Sequence, residues 1–249
     1  MKPLKYLLTF IILLCLLYLV DTIVSPTKSI GEGLLQVLNS FKQWAKNGLL
    51  LDAIYTLYRV MLGFLLALGL GIIIGMLTGR YNKVSSGVVN IFNYLRAITP
   101  VALAPFFLVS FGISETSKIL LITWGAFFPI WISGHLGIKA LSEELIASAK
   151  LQGLSGFNLI KHFYLPATFL SAYTGARVAI GISFILVYIS ETLGADYGIG
   201  YQLKVSYDTF QIDKMTVALL LLGAFGLLLD RIFVVVVRVL VPWVNFDKA

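Results

Sequence analysis

Of the 249 residues, 59% are hydrophobic and 12% charged, and the mean hydropathy is +0.92. Soluble domains carry roughly 25% charged residues, so the composition excludes a soluble globular domain and defines a polytopic α-helical membrane protein. The net charge of +7 needs no nucleic acid to explain it, because membrane proteins gather Lys and Arg in their cytoplasmic loops.

A span needs about 20 mostly apolar residues. Six runs qualify, at 4–22, 53–79, 86–112, 117–138, 166–190 and 214–241. The first follows two lysines, as a signal peptide would. No small-x-small cleavage site comes after it, and it reads as an uncleaved span. The single cysteine, Cys15, lies in this run and allows no disulfide within the chain. Between the first two runs, Leu34, Leu35, Leu38, Phe41 and Trp44 recur at helical spacing with Lys42 and Lys46 interleaved. That pattern predicts an amphipathic helix on the outer membrane surface. Residues 1–50 thus form an N-terminal unit, and 51–249 a core transmembrane domain.

In the second run, Gly63, Ala67, Gly71, Gly75 and Gly79 fall at intervals of four and line one helical face. Small residues let helices approach closely in lipid. Gly175, Ala179 and Ser183 repeat the device in the fifth run. Pro100, Pro105 and Pro129 interrupt the third and fourth runs and predict kinked spans, since proline removes a backbone donor. Arg59 is expected to snorkel to the outer surface. Arg96 and Arg177 fall inside spans. Arg177 lies about 11 residues past Pro166, roughly 16 Å into the membrane. Intramembrane arginine is costly and turns towards a bundle interior or cavity, so each either pairs with a carboxylate or backbone carbonyls or meets cargo.

The stretch ASAKLQGLSGFNLIKHFYLP, residues 147–166, is too polar to span. Ser142 can cap a helix start, with Glu143 and Glu144 at its positive end. Gly153 is placed to end that helix. Ser155 can cap a second short helix through Lys161, and Pro166 suits the first turn of the fifth span. Residues 139–165 therefore read as two short helices joined by a glycine turn. After the fifth run, ETLGADYGIGY (191–201) can make a tight re-entrant turn, with Glu191 and Gly194 as candidate pathway residues. His135 and His162 lack a third ligand at metal spacing and read as interfacial residues, so no metal site is expected.

With the N-terminus inside, ten Lys and Arg fall in cytoplasmic segments against six in outer ones. This favours both termini in the cytoplasm, which also places 139–165 there.

These residues carry a resemblance. The segment 139–165 resembles the cytoplasmic loop of ATP-binding-cassette importer permeases, E-A-A-x3-G-x9-I-x-L-P. Ala147, Ser148 and Ala149 take the E-A-A places, Gly153 the glycine, Phe163 the isoleucine, and Leu165 with Pro166 the final pair. The acidic residue is missing at 147, and Glu144 lies one turn earlier. LYRVMLGFLLALGLGIIIGMLTGR (57–80), LRAITPVALAPFFLVSFGISETSKILLITWGAFFPI (95–130) and GARVAIGISFILVYISETLGADYGIGY (175–201) are similar to permeases of the nitrate/sulfonate/taurine type. The resemblance covers about residues 53–245.

It implies an all-α integral membrane protein with six spans, the type I importer permease fold, and a cytoplasmic coupling helix. Its implied partners are a second permease copy, two ATPase subunits, an extracytoplasmic substrate-binding protein and the lipid of a bacterial inner membrane. Ala147, Ser148, Ala149, Leu151, Gly153, Leu165 and Pro166 would contact the ATPase. The chain contains no G-x4-G-K-[ST] phosphate loop, so ATP and magnesium would belong to the partner, leaving this chain without cofactor or catalytic site. The cargo would be a small anion such as a sulfonate, taurine, nitrate or bicarbonate, or else an uncharged vitamin precursor. A stand-alone secondary transporter would call for inverted repeats and mid-span acidic residues. A membrane enzyme would call for a convergent motif such as H-E-x-x-H. Neither pattern is apparent.

Overall fold

The structure is a computed structural model and describes residues 30–241. The expected first span, Cys15 and the C-terminal tail lie outside the described residues. The helices in chain order are α1 (Ile30–Lys46), α2 (Leu49–Arg80), α3 (Asn82–Ala97), α4 (Pro100–Phe111), α5 (Glu115–Lys139), α6 (Glu143–Leu151), α7 (Gly156–Leu159), α8 (Leu165–Gly194), α9 (Ile199–Asp208) and α10 (Ile212–Leu240). A π-helical turn, Ile160–Tyr164, joins α7 to α8. Among the described residues four helical segments are long and apolar enough to cross a membrane: Leu49–Arg80, Glu115–Lys139, Gly156–Gly194 and Ile212–Val239.

The expected third span, 86–112, is not one kinked helix. α3 and α4 meet at 93°. Ile98 and Thr99 are both extended at the break (ψ 117° and 119°). A proline disfavours helical backbone in the residue before it, and Pro100 follows Thr99. Together α3 and α4 make a broken span or a re-entrant pair. Pro105 and Pro129, by contrast, sit inside continuous helices.

α5 is the central helix, packed along α2 on one side and α8 on the other. The small-residue stripe of α2 faces it. A Cβ at Gly63 would meet the Ile122 side chain, one at Gly71 Ile130, one at Gly75 the Trp131 carbonyl and one at Gly79 Ile138, while Ala67 is fully buried. Gly175 of α8 lies against the Pro129 carbonyl, and Ala179 and Ser183 are buried in the same seam. Lipid tails are as apolar as leucine, so close van der Waals packing of this kind supplies the association that burial supplies in water.

At the end that the charge count leads one to expect outside, α1 forms a helix and buries Trp44 against Ala53, Ile199, Leu203 and Val217. At the opposite end, expected to face inwards, Met76, Ile138, Ala149, Leu159 and Tyr164 form a small core that ties α6 and α7 to the ends of α2 and α5.

Candidate functional site

Three regions carry chemistry: a buried polar cluster at the end expected to face outwards, an ion pair in a groove further along the bundle, and the polar hairpin at the opposite end.

The outer cluster grows from Asp52, Thr56 and Arg59, whose spacing puts them on one face of α2. All three are buried. Arg59 donates from Nε and Nη2 to the two Glu115 oxygens (2.5 and 2.6 Å) and from Nη1 to Glu191 Oε1 and to the Tyr197 carbonyl (both 2.7 Å). Lys118 Nζ donates to Glu115 (2.9 Å). Glu191 is fully buried and also accepts from Thr56 Oγ1 (2.8 Å) and the Gly200 N–H (2.7 Å). Asp52 accepts from Trp44 Nε1 and from the Gly198 N–H, both at 2.9 Å, and the Ile199 N–H donates to Thr56 Oγ1 at 2.9 Å. Gly198 has φ +133°, and a Cβ there would collide with the Glu191 carboxylate. The cluster therefore fixes the turn 195–200 with backbone donors as well as charges. A buried charge needs partners: Arg59 and Glu191 are ion-paired and hydrogen-bonded, while Asp52 is held by the neutral Trp44 and Gly198 N–H donors.

The second region lies between α8 and α10. Arg177 donates from Nε and Nη2 to the two oxygens of Asp230 at 2.8 and 2.9 Å. Unlike Arg59, the Arg177 side chain is 45% exposed, and that of Asp230 20%. The pair borders a groove of about 810 Å³, lined mainly by apolar side chains with Thr174, Tyr173 and Tyr188 as its other polar members.

The third region is the hairpin. Ser142 Oγ caps α6 by accepting from the Leu145 N–H. Gly153 takes φ +86°, the left-handed turn that ends the helix. The second short helix does not stop before the fifth span as expected. It runs through the π turn straight into α8, with the Leu165 N–H reaching the Ile160 carbonyl. Pro166 has no N–H to give, and the wider turn re-registers the helix ahead of it. Ala147, Ser148, Leu151, Gly153, Leu165 and Pro166 are exposed, while Ala149 is buried against the inner core. Leu151 is 89% exposed, and Leu145 and Phe157 in the same segment are exposed too. The Arg80 guanidinium lies over the Tyr164 ring (4.7 Å), joining the inner end of α2 to the hairpin.

The sequence-predicted residues therefore separate. Arg96 ends α3 at the bend and is exposed, where a cation favours the helix C-terminus. Arg177 meets a carboxylate from another helix. Glu191 is enclosed in the outer cluster, and Gly194 packs against Leu108 and Ile113. Arg59 does not snorkel; it is the centre of the outer cluster. The signal that could have found it is the Asp52–Thr56–Arg59 face on α2 together with carboxylates at the outer ends of two other spans, Glu115 and Glu191. His135 is buried in the α2–α5 seam, its Nδ1 3.0 Å from Thr78 Oγ1. Among the described residues no group of three His, Cys, Asp or Glu is placed to hold a metal.

A bundle of long apolar helices, a broken helix pair, a buried polar clamp at one end and a structured polar hairpin at the other are the features of a transport permease. The chain belongs to the family of binding-protein-dependent transport system inner membrane components, whose profile matches residues 67–245. It is 30% identical over 210 residues to the putative aliphatic sulfonates transport permease SsuC of Bacillus subtilis, covering 84% of this chain and 76% of that one. It is 31% identical over 198 residues to the nitrate import permease NrtB of Synechococcus elongatus, covering 78% and 71%. The fold is similar to a chain in an inward-facing structure of the MetNI methionine ABC transporter (TM-score 0.64, 21% identity, 77% of this chain and 95% of that one). The protein is the permease of an ATP-binding-cassette importer, a transport subunit of the type I fold.

Proposed function

We propose that two copies of this chain form the pathway for a small anionic solute, delivered by an extracytoplasmic binding protein and driven by two ATPase subunits that bind ATP and magnesium. The observation that carries the coupling is the hairpin. It is a capped, glycine-turned element with three exposed large apolar side chains, Leu145, Leu151 and Phe157. Its inner face is bound to α2 and α5 through Ala149, Leu159 and Tyr164. An exposed apolar patch on a rigid support is a docking surface, and rigidity lets movement of the docked ATPase reach the spans. Ala147, Ser148, Leu151 and Gly153 make the ATPase contact in this reading, with Leu165 and Pro166 at its membrane end. The hairpin and both termini then lie in the cytoplasm.

The anionic cargo is supported by the relatives, which are named for aliphatic sulfonates and nitrate, and by a guanidinium on an open groove. A planar fork suits such groups.

The test is reconstitution of the permease with its ATPase and binding protein in liposomes. ATP-driven uptake of nitrate or methanesulfonate, abolished without the binding protein, is the expected result. Uptake of an uncharged solute alone would overturn the anionic reading and leave the permease assignment standing.

A further inference from the structure

The ion pair Arg177–Asp230 lies at the edge of an open groove, partly exposed. Arg177 stands about 12 residues from the inner end of α8, and Asp230 about 10 from the inner end of α10, so both lie roughly 15–18 Å along their helices. At that depth a charged pair left against lipid tails is costly, and intramembrane charges turn to a bundle interior or a water-filled cavity. Yet the Arg177 side chain is nearly half exposed. The surface it shares is the α8–α10 groove, whose volume of about 810 Å³ falls in the range of small-molecule sites, about 300–1,000 Å³. Two glycines keep it open. A Cβ at Gly181 or Gly223 would meet nothing within 4 Å.

Asp230 presents two oxygens to one edge of the guanidinium. Nitrate, a sulfonate and bicarbonate each present two oxygens to that edge in the same way. A carboxylate that is partly exposed, fork-bonded and mounted on a different helix from its arginine is a replaceable partner. The enclosed Glu191 is not.

We propose that Asp230 is the resident counter-ion of an anion subsite centred on Arg177. The oxyanion group of the cargo takes the guanidinium by displacing Asp230, and the return of Asp230 expels it. The site holds an anion only while the carboxylate is turned away, so Asp230 sets both affinity and release. This rests on the reading that the cargo is anionic, and the test separates the two.

The measurement is equilibrium binding of radiolabelled methanesulfonate, and of nitrate by competition, to the assembled permease–ATPase complex in nanodiscs without the binding protein. Uptake by the full complex is measured in parallel. Asp230→Asn, which removes the competitor, is expected to assemble with the ATPase subunits. It should bind the probe at least threefold more tightly and release it into the vesicle at least threefold more slowly. The exchanged pair Arg177→Asp with Asp230→Arg restores the attraction but moves the fork to α10, and it should lose at least tenfold in transport. Wild-type binding and transport in Asp230→Asn, or wild-type transport in the exchanged pair, overturns the proposal. If the exchanged pair does not assemble, Arg177→Lys decides: a retained charge without the fork should weaken binding at least threefold, and unchanged binding overturns the proposal. Absence of probe binding in both wild type and Asp230→Asn also overturns it. If the wild-type complex carries only uncharged solutes, the anionic reading fails first.

Discussion

Two arginine–carboxylate sites occupy this molecule, and burial makes them different devices. At the α1 end of the bundle, Arg59 is enclosed with Glu191, Thr56 and the backbone of 197–200, and only its Glu115 partner is partly exposed. Arg59 and Glu191 cannot exchange partners without leaving each other unpaired in a low-dielectric interior. Lower down, Arg177 holds Asp230 with equally good geometry but at the edge of an open groove. The same pair of functional groups is a clamp in one place and an accessible contact in the other. Distances alone do not tell them apart; what surrounds each pair does.

The comparison can be broken most sharply at the clamp. Arg59→Ala leaves Glu191 buried without its cation, and removing one partner of a buried pair costs about 3–5 kcal/mol. A large drop in unfolding temperature of the detergent-purified protein is expected, with loss of assembled complex. A wild-type melting temperature would place the clamp among ordinary surface pairs. Gly198→Ala attacks the same clamp from the backbone. It forces a side chain into a positive-φ position against the Glu191 carboxylate, and about 1–3 kcal/mol of destabilisation is expected.

A smaller effect is expected at the hairpin. Gly153→Val must adopt φ +86° with a β-branched side chain, but a Cβ there meets nothing within 4 Å. The cost is about 1–2 kcal/mol, the chain inserts, and transport per ATP hydrolysed falls. Normal coupling in this variant would remove the hairpin from the mechanism. The smallest effect on stability belongs to the accessible pair. Arg177→Gln should cost about 1 kcal/mol or less, as partly exposed pairs do, while transport falls. Thermal scans of Arg177→Gln and Arg59→Ala side by side measure the contrast directly, and equal losses would abolish it.

Much of the architecture is legible along the chain because lipid imposes local rules. A long apolar run must be helical, a four-residue repeat of glycine and alanine must make a flat face, and Ser142 and Gly153 bound α6 by capping and by positive φ. The right-angle break at Ile98–Thr99 was half legible. Pro100 marks the site, yet proline also sits inside α4 and α5 without breaking them, so the bend depends on how α3 and α4 pack against α5. The histidines show the same limit. Nothing within four residues of His135 says that its partner is Thr78 on α2.

Composition, periodicity and capping determined by themselves that this is a helical membrane protein with a polar hairpin between two spans. They act through contacts a few residues apart, which a linear reading resolves. The tertiary structure alone decided the fate of the charges. Arg59 with Glu191, and Arg177 with Asp230, are separated by 132 and 53 residues. Whether each pair is sealed or open depends on which helices pack over it.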